Sequence, residues 1–131
     1  MKLLDSTVLL EFFCGSEERI NRIDKLFRNL ERRKEKLLIT QEVITELIYY
    51  LEVVYKWERE VIADIVNTIL KDSLFSVENR ETIQRALIVY LKAGLSFMDS
   101  LKTAKAESKK VKEAVSYNKR FEKAKIRVIH P

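Results

Sequence analysis

Cysteine, histidine, proline and glycine are nearly absent from this 131-residue chain, which has one Cys, one His, one Pro and two Gly. A lone Cys14 rules out an intrachain disulfide, so a reducing cytoplasm is the expected compartment. Cys14 itself reads as a small buried hydrophobe with no redox role. His130 lies one residue from the end, so no Ser-His or Cys-His nucleophilic pair is expected, and the ring reads as an exposed terminal group. The single proline is the last residue, which with two glycines leaves few backbone breakers. No apolar run approaches the roughly 18 residues that span a bilayer. Asp5 and Glu11 interrupt the apolar opening stretch, and no small-residue cleavage site follows it, so neither a membrane segment nor a cleaved leader is expected.

What is present is ample core material and an uneven charge. Hydrophobic residues make up 47% of the chain, enough for one folded domain over residues 1 to 131 and too many for disorder. The formal net charge is +5, but residues 101 to 131 carry ten Lys/Arg against three Glu, while residues 1 to 100 carry fifteen against seventeen acids. A basic segment of this kind attracts phosphates by counterion release, so nucleic acid is the leading partner.

Periodicity divides the chain into short apolar runs, each followed by an amphipathic stretch. Residues 2 to 4 read as a strand that feeds, through Asp5-Ser6-Thr7, into a helix ending near Gly15. Ser16 caps a helix to about residue 33, residues 37 to 39 are a second strand, and Thr40 caps a third helix to about residue 57. Val43, Ile44, Leu47, Ile48, Leu51 and Val54 form that helix's apolar face. Residues 59 to 70 are amphipathic, residues 74 to 77 suggest a strand, Asn79 opens a helix that runs to Gly94, and Ser96 caps the next. Residues 113 to 117 and 126 to 129 read as the last strands. Alternating strands and helices indicate an α/β fold with a parallel sheet covered on both faces, whose ligands bind outside the carboxyl ends of the strands.

Three acids stand where such elements should meet: Asp5, Glu46 and Asp99. Carboxylates brought within about 5 Å of one another repel by roughly 3 kcal/mol per pair at an effective dielectric near 20. Only a cation or a proton makes such a cluster tolerable. Hard divalent ions want oxygen ligands, and two or three carboxylates suffice to hold one against a phosphate. Singly, each acid has an ordinary structural reading: Asp5 as a helix cap, Asp99 as part of a Ser96-x-x-Asp99 capping box, Glu46 as a solvated helix acid.

Together, Asp5-Ser6-Thr7-Val8-Leu9-Leu10 after the opening strand, Thr45-Glu46-Leu47 in the third helix and Phe97-Met98-Asp99-Ser100-Leu101 late in the chain resemble the acidic motifs of PIN-domain ribonucleases. The resemblance covers nearly the full length and is closest to the small toxins of VapBC-type toxin-antitoxin pairs. It implies a three-layer α/β/α sandwich with a short central parallel sheet of four or five strands. It also implies a Mg²⁺- or Mn²⁺-dependent endoribonuclease with Asp5, Glu46 and Asp99 as metal ligands and catalytic centre. Ser6 or Thr7 would support Asp5, and the expected partners are RNA, an antitoxin protein and a second copy of the chain.

One position departs from the pattern. Many relatives carry a further Asp where this chain has Asn118, within Ser116-Tyr117-Asn118-Lys119-Arg120-Phe121. An amide oxygen can contact a metal or its water, but without formal charge. The alternative reading is therefore a weakened or non-catalytic PIN-like module that binds RNA or an antitoxin. Lys102, Lys105, Lys109 and Lys112 recur at helical spacing after Asp99 and either guide an RNA backbone or form a solvated face, with Val111 on the core side. Tyr49, Tyr50, Tyr55 and Trp57 crowd the third helix and divide between core packing and a partner surface.

Overall fold

The computed structural model describes all 131 residues. The chain forms two compact units, residues 1 to 79 and 80 to 131. The first unit holds β1 (Lys2–Leu3), α1 (Ser6–Cys14), α2 (Glu17–Arg32), β2 (Leu37–Ile39), α3 (Gln41–Tyr49), a π-helical turn (Tyr50–Val54), α4 (Arg59–Lys71) and β3 (Phe75–Val77). The second holds α5 (Arg80–Ala93), α6 (Phe97–Ser108), β4 (Glu113–Val115), a 3₁₀ turn (Lys119–Ala124) and β5 (Arg127–Ile129).

All five strands pair in parallel, as the alternating pattern predicts. In the first unit the order is β1-β2-β3, with Lys2 opposite Leu37 and Leu37 opposite Phe75. In the second, β4 pairs with β5, with Glu113 opposite Arg127. The backbone ladders thus number three strands and two. Parallel strands need crossover helices, which is why the apolar runs are short and each is followed by an amphipathic stretch.

Three helices start on the caps that the sequence marks. Ser16 Oγ accepts from Arg19 N, Thr40 Oγ1 from Val43 N and Ser96 Oγ from Asp99 N. Each cap satisfies one amide that the first helical turn leaves without a partner. α3 then buries Val43, Ile44, Leu47 and Ile48. Full burial of one such side chain stabilises by about 1.5–3 kcal/mol, so this face anchors α3 in the core of the first unit, where α1 packs against it.

Two expectations about helix extent are corrected. The third helix was expected to continue to about residue 57, but after Tyr49 it widens, and Tyr55 N–H bonds to Tyr50 O. The extra residue rotates the stripe, so Leu51 stays buried while Val53, Val54 and Tyr55 turn to solvent. Val54 therefore leaves the core face. The helix after Asp99 ends at Ser108, so Lys109 is its cap, Lys112 lies beyond it and Val111 is exposed. The regular lysine stripe is limited to Lys102 and Lys105.

The ends themselves explain how a chain with two glycines stops its helices. Lys34, Lys56, Lys110 and Lys125 all have positive φ, between 55° and 63°. After α2, Lys34 N–H bonds to Glu31 O and Glu35 N–H to Leu30 O; after α6, Lys110 N–H bonds to Glu107 O and Val111 N–H to Ala106 O. These are Schellman closures with lysine in the seat usually given to glycine. The left-handed conformation costs an L-residue about 1–2 kcal/mol, and a cation beside the helix C-terminal carbonyls offsets part of that.

Candidate metal centre

Asp5 follows β1 and caps α1, so the fold places it just outside the carboxyl end of a parallel strand. Its Oδ2 accepts from Thr7 Oγ1 at 2.6 Å and from Thr7 N at 3.3 Å. The Thr7 hydroxyl, then the Thr7 amide, hold the Asp5 carboxyl below its usual 3.8. Asp5 is thus an anion at neutral pH, poised at the positive end of α1.

Ser6 is buried, and its Oγ donates to Glu46 Oε1 at 3.3 Å. The turn Asp5-Ser6-Thr7 therefore grips two carboxylates, one through Thr7 and one through Ser6. This division of labour was not legible in the sequence, where Ser6 and Thr7 both read as supports for Asp5. Glu46 is the exposed member of a turn of α3 whose neighbours Leu47 and Ile48 are buried. That packing fixes its backbone.

The other two named residues lie in the second unit. Asp99 stands in the first turn of α6, where its N–H bonds to Ser96 Oγ at 3.1 Å and its own side chain is only 14% exposed. Lys102 Nζ sits 3.5 Å from Asp99 Oδ1, so this lysine neutralises the acid as well as adding to the basic surface. Asn118 caps the 3₁₀ turn: its Oδ1 accepts from Arg120 N at 2.9 Å and from Arg120 Nε at 3.0 Å. Both lone pairs of that oxygen are engaged. Within neither unit do three or more His, Cys, Asp or Glu side chains gather as a ready metal cage.

The remaining residues singled out take plain positions. Cys14 is half-buried, and burial pushes its thiol pKa up, which suits an inert side chain. His130 is exposed, with its ring against Tyr117. Tyr49, Tyr50 and Tyr55 are exposed, and Trp57 is half-buried. A groove of about 800 Å³ in the first unit is floored by Phe12, Phe27 and Phe75, and neither Asp5 nor Glu46 lines it. No helix is long and apolar enough to cross a membrane.

The chain is thus an α/β protein with all-parallel strands, one acid just past β1 and a second on α3 that is hydrogen-bonded to the neighbouring Ser6. The PIN domain family model matches residues 2–126, across both units, and the chain belongs to that family. Among curated proteins, the VapC ribonuclease of Aquifex aeolicus (strain VF5) is 47% identical over 131 residues, covering 100% of this chain and 97% of that protein.

Proposed function

We propose that this chain is a divalent-metal-dependent endoribonuclease, the toxin component of a VapBC-type toxin-antitoxin pair, acting in the cytoplasm. The observation that carries the reading is the end-to-end 47% identity to a VapC ribonuclease. On this reading residues 1 to 131 act as one PIN domain, which the family match over residues 2–126 supports.

Asp5, Glu46 and Asp99 would hold Mg²⁺ or Mn²⁺. The donor set fits: these are hard carboxylate oxygens, one of them kept ionised by Thr7 and another oriented by Ser6. Bound there, the ion supplies polarisation of the scissile phosphate and a lowered pKa for an attacking water. The protein's own part is positioning. Thr7 holds Asp5 as an anion, the buried Ser6 hydroxyl aims Glu46, and Lys102 balances the charge of Asp99. Asn118 joins this set only by releasing Arg120 from its oxygen. Three carboxylates remain without it, so the departure at 118 does not empty the site.

Lys102, Lys105 and Lys109 guide the RNA backbone toward Asp99 on this reading, since Lys102 already adjoins it. The exposed Tyr49, Tyr50, Val53, Val54 and Tyr55 form the surface assigned to protein partners, a second copy of the chain and an antitoxin, because exposed aromatic clusters mark interfaces. The test is to incubate the purified protein with single-stranded and structured RNA in Mg²⁺, Mn²⁺ or EDTA, beside Asp5→Asn and Asp99→Asn. Cleavage that requires the metal and is lost in both variants is expected. Cleavage in EDTA, or full activity in both variants, refutes the mechanism.

A further inference from the structure

The second unit carries thirteen Lys/Arg against five Asp/Glu, and part of that excess surrounds a groove that the nuclease reading does not use. The groove lies between the outer face of α5 and the 3₁₀ turn, with a volume of about 290 Å³. Arg85 and Lys92 stand on its α5 side, Lys123 and Lys125 on the other. None of these four cations has an acidic partner within 4.0 Å, although elsewhere in the chain eight such ion pairs form.

The floor between them is aliphatic: Ile88, Val89, Ala93 and Ala124. Ile88 is 54% exposed, and Leu91 on the same helix is 42% exposed. Glu107 is the one acid in the lining. Four uncompensated cations repel one another and call for anions, while an aliphatic floor gains only from covering by apolar groups. Single-stranded nucleic acid is held by cations combined with aromatic rings on which bases stack, and this lining contains no ring.

We infer that this groove binds an acidic, aliphatic-bearing segment of a partner protein, with carboxylates on the Arg85, Lys92, Lys123 and Lys125 rim and a leucine-like side chain over Ile88. Charge complementarity selects the partner and raises its association rate, and the floor supplies the apolar burial. Glu107 sets the polarity, because it repels a carboxylate from its own side. The inference rests on the groove alone and stands or falls apart from the nuclease reading.

The test uses the full chain and a short fluorescent peptide in which a leucine pair is flanked by glutamates. Fluorescence anisotropy should show binding, weakened about tenfold or more by Lys92→Glu with Lys123→Glu, and also weakened by Ile88→Ser. Methyl NMR of the unaltered protein should show shifts confined to Ile88, Val89, Ala93 and Ala124, which needs no variant to fold. A matching peptide with lysines for glutamates should not bind. The proposal is overturned if the acidic peptide does not bind, if both variants bind it unchanged, or if the groove methyls respond only to a single-stranded oligouridylate, which would make the groove a nucleic-acid surface.

Discussion

Ser6→Ala removes one oxygen atom and tests how the carboxylates are held. The Ser6 hydroxyl is buried and its one side-chain partner is Glu46 Oε1 at 3.3 Å. A hydrogen bond to a charged group contributes about 1.5–3 kcal/mol, and at this length, with Glu46 exposed, the lower end applies. The alanine leaves no buried donor unsatisfied, so the fold should lose no more than about 1.5 kcal/mol, a shift of roughly 5 °C in Tm. Metal binding should suffer more. Removing a group that orients a metal ligand costs about 10–100-fold in affinity, and Glu46 without Ser6 samples several rotamers. Isothermal titration with Mn²⁺ is the assay, with Ser6→Ala expected about tenfold weaker and RNA cleavage at low Mn²⁺ reduced in proportion. Unchanged Mn²⁺ affinity with a normal melting curve would refute the view that Ser6 positions Glu46.

Thr7→Val takes away the hydroxyl that depresses the Asp5 pKa. The depressed carboxyl favours the native state above the unfolded pKa, and that benefit fades as pH falls through the lower native value. In the variant the native value rises toward the ordinary one, so the acid limb of the cleavage profile should move to higher pH, which a pH series at fixed Mn²⁺ measures. Asn118→Asp by itself should change the cleavage rate less than Asn118→Asp combined with Arg120→Ala, since Arg120 donates twice to this position and would pair with the new carboxylate. Lys34→Gly should raise stability by about 0.5–1 kcal/mol in urea unfolding, because glycine takes positive φ without the steric cost that lysine bears there.

Helix starts were readable in the sequence because capping is local chemistry: Ser16, Thr40 and Ser96 each precede a periodic run, and each hydroxyl accepts an amide of the first turn. The strand at Leu37–Ile39 was equally plain, being three apolar residues between a charged stretch and a cap. The ends at Gly15 and Gly94 were readable too, since glycine marks them, whereas the end of α6 was missed because a lysine, Lys110, takes the left-handed seat there. A lysine in a left-handed seat looks like any surface lysine. The same blindness extended the α6 stripe to Lys112. The π-helical turn escaped notice since Leu51 keeps the period and only Val53 and Val54 break it.

At the candidate site, Asp5, Glu46 and Asp99 were singled out by resemblance to the PIN family, whereas the partners Ser6 to Glu46, Lys102 to Asp99 and Arg120 to Asn118 depend on rotamers and were not legible. Asn118 shows the same division: the sequence shows an amide where an acid is common, and the structure adds that its oxygen caps the 3₁₀ turn.

Crystals soaked in Mn²⁺ test the account most directly. Anomalous density should show an ion bonded to carboxylate oxygens of Asp5, Glu46 and Asp99. An ion bound elsewhere, or no ion at a concentration that supports RNA cleavage, would contradict it.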